Sequence, residues 1–330
     1  MSDPEVECTY ATCSVKEQGM IEYIPALPGN IAYAGIFFFI LMLQVYFGIR
    51  YKTWGFLAGM VCGLSLEIAG YAGRVLLHDN VFEKTNFIIY LVGLTIGPAF
   101  LSASIYLCLG RIITIFGTRL SLLKPKIITW IFILADSLSL ILQSVGGALT
   151  SMADDEASNQ QGVDIMIAGL WSQVISLSVF IILCSHFAFN VLRYPLKINP
   201  QTVFIRQTIM FKCFLLAIGT ATITIMIRSC YRLAELQEGF DGNLANDEVL
   251  FMILEGPMII AAVAVLTICH PGVVMGADMW KSTSFRHNGA EDAVAPYKET
   301  DEDDNIAMVP VARYSNTSLG LERTKNWTPA

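Results

Sequence analysis

In the stretch GLSLEIAGYAGR, Gly63 to Arg74, a carboxylate and a guanidinium stand inside a run that is otherwise apolar. Glu67 and Arg74 are two helical turns apart, so on a helix they share a face, with Tyr71 between them at i+4. Other apolar runs carry matching groups. Asp136 has Gln143 two turns further on, Arg228 is followed by Arg232 and Glu235, and Glu255 directly precedes Gly256 and Pro257. Such groups can grip a polar head, neutralise one another or exchange protons. Each charge facing lipid at the middle of a spanning helix would cost about 3 kcal/mol on insertion scales. Glu67, Asp136 and Glu255 are therefore expected to face inward, toward each other, toward arginines or toward water. One reading is a set of buried pairs that only fix helix register. The other is a polar cavity in the outer half of the membrane, binding an amphipathic molecule with a cationic or hydroxylated head. On the second reading Glu67, Asp136 and Glu255 are the anionic groups, Arg74 and Arg228 their counter-ions, and Tyr71, Gln143, Arg232 and Glu235 stand beside them. For Arg232 and Glu235 plain interfacial charge is the simpler reading.

The elements that must position these residues are apolar helices. Of 330 residues, 54% are hydrophobic and 15% charged, whereas soluble chains carry about 25% charged residues. Seven apolar runs, near 31–49, 54–77, 86–110, 127–149, 164–191, 211–230 and 249–269, reach the roughly 20 residues that a spanning helix needs. They are too long, and alternate too little, for barrel strands. The fold class is all-α, a polytopic membrane protein with seven transmembrane helices. Arg50, Lys52, Arg111, Arg119, Lys124, Lys126, Arg193, Lys197, Arg206, Lys212 and the basic residues of the C-terminal tail fall on one side; Lys16, Arg74, Lys84, Arg228 and Arg232 fall on the other. This asymmetry puts the N-terminus outside and the C-terminus in the cytosol. The expected organisation is an extracellular tail at 1–30 without a cleavable signal peptide, a membrane domain at 31–272 and a disordered cytosolic tail at 273–330.

Gly59 and Gly63, and Gly93 and Gly97, have the spacing that lets membrane helices approach closely. Pro98 is expected to kink the third helix and Pro257 the seventh. The loop 231–248, with its EGFDGN stretch, reads as turn-rich. Cys8, Cys13 and Cys230 lie on the expected outer side, where no disulfide, a bridge within the tail and a bridge to Cys230 are all compatible with the sequence. The sequons at Asn316 and Asn326 fall in the expected cytosolic tail and read as chance matches. There is no phosphate-binding glycine loop and no HExxH pair, and His78, His186 and His270 fall at opposite helix ends. No catalytic residue, metal or cofactor is expected. No basic patch with interleaved aromatics suggests nucleic acid; the expected partners are membrane lipids and amphipathic small molecules. A seven-helix receptor or sensor shares this topology. An intramembrane lipid hydrolase would need clustered histidines.

The segments EIAGYAGR, LTIGPAFLSASIYLCLGRII, LQSVGGAL, IMIAGLWSQVISL, IRSCYRLAELQEGFDGNLANDEVLFMILEGPM and HPG resemble, in this order, the fungal RTA-like family, also called lipid-translocating exporters. The resemblance covers about residues 22–272. It implies seven helices, fungal plasma-membrane residence, and export of lipids such as sphingoid long-chain bases or resistance to toxic amphiphiles. It implies that Glu67, Gly70, Tyr71, Arg74, Arg111, Asp136, Gln143, Arg228, Arg232, Glu235, Gly239, Gly242 and Glu255 are the family's motif positions.

Overall fold

The computed structural model describes residue 14, residue 21 and residues 23–152, 156–195, 202–237 and 247–282. Cys8, Cys13, the EGFDGN stretch, both sequons and most of the two expected tails lie outside the described residues. The chain divides into Met1–Gly289 and Ala290–Ala330, and the second unit holds no described residue. The helices are α1 (Leu27–Tyr51), α2 (Trp54–Asp79), α3 (Lys84–Phe116), α4 (Pro125–Met152), α5 (Glu156–Arg193), α6 (Val203–Gln207), α7 (Ile209–Gln237), α8 (Glu248–Leu254), α9 (Gly256–Ile268) and α10 (Pro271–Ser282). Among the described residues there is no strand, and seven stretches are long and apolar enough to cross a membrane, the last being Glu248–Gly276.

These helices turn the soluble pattern inside out. On α4, Trp130, Leu134, Leu138, Ile141, Val145 and Leu149 form one exposed apolar stripe, while Thr129, Asp136, Ser139 and Gln143 are buried. Apolar side chains lose nothing by facing hydrocarbon, so the polar ones take the interior, where partners exist. The helices pack in chain order, α1 on α2, α2 on α3, α3 on α4, α4 on α5, α5 on α7, α7 on α9, and α9 back on α1, with α3 also reaching α7. The result is a closed ring, with a polar thread through its apolar core.

The glycine spacings work as expected. A Cβ on Gly93 would stand 2.8 Å from the Cα of Gly70, and one on Gly63 would stand 3.0 Å from the carbonyl oxygen of Gly97. The backbones of α2 and α3 therefore touch. A second such seam joins α4 to α5, where a Cβ on Gly146 would stand 2.6 Å from the carbonyl oxygen of Gly162; its glycines are spaced too irregularly to stand out in the sequence.

The two prolines act differently. α3 stays helical through Pro98. The seventh span is interrupted at Glu255, and α9 starts with Pro257 in its first turn. Asp247 caps α8 by accepting from the amides of Val249 and Leu250.

Two boundaries differ from expectation. The sixth span runs to Gln237, well past residue 230, because Tyr231, Leu233 and Leu236 are buried. Arg232 and Glu235 are thus on a helix and not in a loop. Helical structure also extends past the expected boundary at 272 to Ser282, with a kink at Gly276 (φ 72°), and α10 packs on α1 and α7. It is held in part by Arg111, which donates to the Trp280 carbonyl at 2.9 Å and stacks over the Trp280 ring.

Candidate functional site

Three helix faces converge on one buried cluster. α2 contributes Glu67, Tyr71 and Arg74, α7 contributes Arg228, Arg232 and Glu235, and the break between α8 and α9 contributes Glu255. All seven are buried. The glycines of α3 make the room: Glu67 lies directly against Gly97, where a Cβ would stand 2.9 Å from its Oε1.

The charges are sorted in a definite way. Arg228 forms an ion pair with Glu255, and the same guanidinium nitrogen donates to the carbonyl of Leu94. That carbonyl is the one a helical amide at residue 98 would have bonded, and Pro98 has no N–H to give. The proline and the ion pair are therefore one device. Arg232 pairs with Glu235 at 2.6 Å, and both side chains are buried.

Arg74 pairs with no carboxylate among the described residues, contrary to its expected role as a counter-ion. It donates to Asn30 Oδ1 and to the Tyr23 hydroxyl, both at 3.1 Å. Its guanidinium lies over Phe251 at 4.0 Å, Tyr90 at 5.0 Å and Tyr23 at 5.8 Å. Aromatic faces and neutral acceptors thus hold it. Burial pushes the Tyr23 phenol up, against the pull of Arg74, so Tyr23 is a neutral hydroxyl at physiological pH. Arg74 therefore pins the start of α1 and the strand of chain before it to α2, α3 and α8.

What remains is unfilled. Among the described residues Glu67 Oε1, Tyr71 Oη and Glu255 Oε2 have no hydrogen-bond partner. They are neighbours: Tyr71 is one turn from Glu67, and a Cβ on Gly256, beside Glu255, would stand 2.7 Å from the Tyr71 hydroxyl. Tyr71 is held by its ring, stacked on Phe37 at 5.6 Å and edge-on to Tyr33 at 5.4 Å. Tyr33 in turn donates to the Met252 carbonyl at 2.8 Å, which the break in the seventh span leaves free.

Asp136 does not join this cluster, although it was expected to. It sits between α3, α4 and α5, accepting from Tyr106 Oη at 2.7 Å and Ser176 Oγ at 3.0 Å. Phe132 and Phe180 pack on the Tyr106 ring at 5.4 and 4.6 Å. Gln143, on the same face of α4, donates to Gln173 Oε1 at 3.2 Å. Asp136→Asn keeps an oxygen for one hydroxyl and offers an amide N–H to the other, which can turn to accept it, and should cost about 1 kcal/mol, whereas Asp136→Leu strands both and should cost about 2–3 kcal/mol. Thermal unfolding of the purified protein in detergent distinguishes the two.

The cluster is also closed. Glu67, Tyr71 and Glu255 are 1%, 0% and 1% exposed, so the expected cavity open to lipid is not found around them. Two lateral grooves lie elsewhere. One of about 360 Å³ runs between the start of α3 and the end of α4. The other, of about 440 Å³, lies between the far end of α3, α5 and α7. Among the described residues no charged side chain lines either groove.

The sequence reading missed Asn30, Tyr90 and Phe251 around Arg74, and Gln173 and Ser176 around α4. Gln173 and Ser176, one turn apart in an apolar run, carried a readable signal; Phe251 carried none, because nothing in the sequence brings α8 to Arg74. Among the described residues no three His, Cys, Asp or Glu side chains are placed to hold a metal ion. His270 is buried among Phe47, Tyr51 and Phe56. Cys230 is exposed with a free thiol.

A ring of apolar helices around sorted, buried charges defines an integral membrane protein. Comparison with known proteins gives the family: the model described as RTA1 like protein matches residues 60–278, which include every residue of the cluster. The chain belongs to the RTA1-like family. It is 36% identical over 290 residues to the sphingoid long-chain base transporter RSB1 of Saccharomyces cerevisiae (strain JAY291), covering 79% of this chain and 75% of that protein. It is 31% identical over 207 residues to protoporphyrin uptake protein 1 of Saccharomyces cerevisiae (strain ATCC 204508 / S288c), covering 61% and 64%. It is 30% identical over 206 residues to protein RTM1 of Saccharomyces cerevisiae, covering 61% and 63%. No solved structure matches.

Proposed function

We propose that the protein exports amphipathic lipids, sphingoid long-chain bases foremost, across a fungal plasma membrane, with its N-terminus outside, its C-terminal tail in the cytosol and no ATP hydrolysis of its own. The similarity to the transporter RSB1 supports the substrate class. The observation that carries the reading is Glu67, a buried carboxylate at the middle of α2 that no cation of the described chain pairs, while Glu235 and Glu255 are neutralised by arginines. An unpaired buried charge is costly, and an ammonium supplies the missing partner. A sphingoid head brings one ammonium and hydroxyl groups. The ammonium is a donor for Glu67 Oε1, and the hydroxyls pair with Tyr71 Oη and Glu255 Oε2. The alkyl chain stays in the bilayer. Loading requires the closed cluster to open, and the interruption at Glu255, next to Gly256 and Pro257, is the hinge available for it.

The test is growth of cells challenged with a long-chain base. Glu67→Gln should remove the resistance conferred by the wild-type protein while surface amounts stay normal, and Glu255→Gln should remove it with lower surface amounts, since it leaves the buried Arg228 unpaired. Full resistance in both variants would reject the assignment.

A further inference from the structure

The groove between α3 and α4 lies apart from the charged cluster and has a feature that a mere packing defect lacks. Among the described residues its wall is apolar except for Thr95, Gln143 and Ser144. Gln143 is only 4% exposed, and its Oε1 has no hydrogen-bond partner among the described residues, while its amide nitrogen is occupied by Gln173. A buried polar atom left unpaired beside an apolar groove is open to a donor from a molecule lying in that groove. Beside it the wall is cut away at Gly147: a Cβ there would meet only Met166 Sδ, at 3.7 Å. The volume of about 360 Å³ falls in the roughly 300–1,000 Å³ range of small-molecule sites.

We propose that this groove is a second lipid site, in which a long-chain amino alcohol lies between α3 and α4 and one of its hydroxyls pairs with Gln143. The proposal rests on the long-chain-base reading above. A hydroxyl suits the site because it donates to the Gln143 carbonyl oxygen and leaves the amide nitrogen on Gln173. The ammonium lies at the Met152 end of the groove. The chain leaves past Ile96 and Leu140 into the bilayer. Glu67 then reads the amine, and Gln143 reads the hydroxyl at a separate station.

The experiment uses the full-length protein in lipid nanodiscs with a sphinganine carrying a photoactivatable chain. Labelled peptides are mapped, and sphinganine is compared as competitor with octadecylamine, which has the amine and no hydroxyl. The wild type should be labelled within 88–96 and 140–152, and sphinganine should compete about five- to tenfold better, the value of one buried hydrogen bond. Gly147→Phe fills the groove and should lose that label at least tenfold. Gln143→Leu should keep the label and lose the preference. Labelling elsewhere, full labelling of Gly147→Phe, or a preference unchanged in Gln143→Leu would overturn the proposal. Flux in liposomes separates it from the functional reading. A wild type that is labelled in the groove yet moves no base leaves the groove standing and removes the exporter reading. A Gly147→Phe variant that moves base at the wild-type rate removes only the groove.

Discussion

Replacing Arg228 by methionine should destabilise the protein by about 3–5 kcal/mol, the cost of leaving a buried charge without its partner. Glu255 would lose its only ion-pair partner among the described residues, and the Leu94 carbonyl, freed by Pro98, would lose its donor. The double variant Arg228→Met with Glu255→Met should recover most of the loss, since two apolar side chains replace a pair whose desolvation roughly offsets its attraction. The double variant should remain folded yet still fail to confer resistance, which separates the structural role of the pair from its place in the site. Thermal unfolding in detergent gives the stability, and the growth assay gives the function. A single variant as stable as the wild type would mean that Arg228 and Glu255 are not paired.

Gly93→Val is expected to be the next most damaging change, costing up to about 3 kcal/mol by overpacking. Its first new atom would stand 2.8 Å from both the Cα and the amide nitrogen of Gly70, and 2.8 Å from the carbonyl of Leu66. These are backbone atoms, which cannot rotate away, so α2 and α3 must part. That movement would also draw Glu67 off Gly97. Gly219→Val makes a control: a Cβ at that position meets nothing within 4 Å, and the change should be close to neutral. The same detergent unfolding measurement reads both. Equal midpoints for the two variants would show that the α2–α3 contact is looser than described.

The sequence reveals the spans because the bilayer imposes a single length and composition on them, and it reveals the inward side of α2 because Glu67, Tyr71 and Arg74 can go nowhere else. The pairing of the charges was harder to read. Arg74 is seven residues from Glu67 and looks like its counter-ion, but the rings of Tyr23, Tyr90 and Phe251 hold its guanidinium elsewhere. The role of Arg228 depends on a carbonyl left free by a proline on another helix, a contact set by the ring order and invisible in one dimension. Asp136 resembles Glu67 in chemistry, a lone carboxylate in an apolar run. It is separated because α3 stands between α2 and α4, so each face of α3 serves a different polar group. Arg232 and Glu235 were misplaced for a simple reason: hydropathy falls where charges occur, even when those charges cancel as a buried pair.

The central claim is that the Glu67 carboxylate lacks a partner in the protein because the substrate's amine is that partner. Purified protein in liposomes loaded with a labelled sphingoid base tests it most directly, by comparing wild type with Glu67→Gln at equal reconstitution. The account predicts base movement by the wild type and a loss of about ten- to a hundredfold in the variant, the range for one charge-assisted hydrogen bond. Equal rates from the two proteins would contradict it.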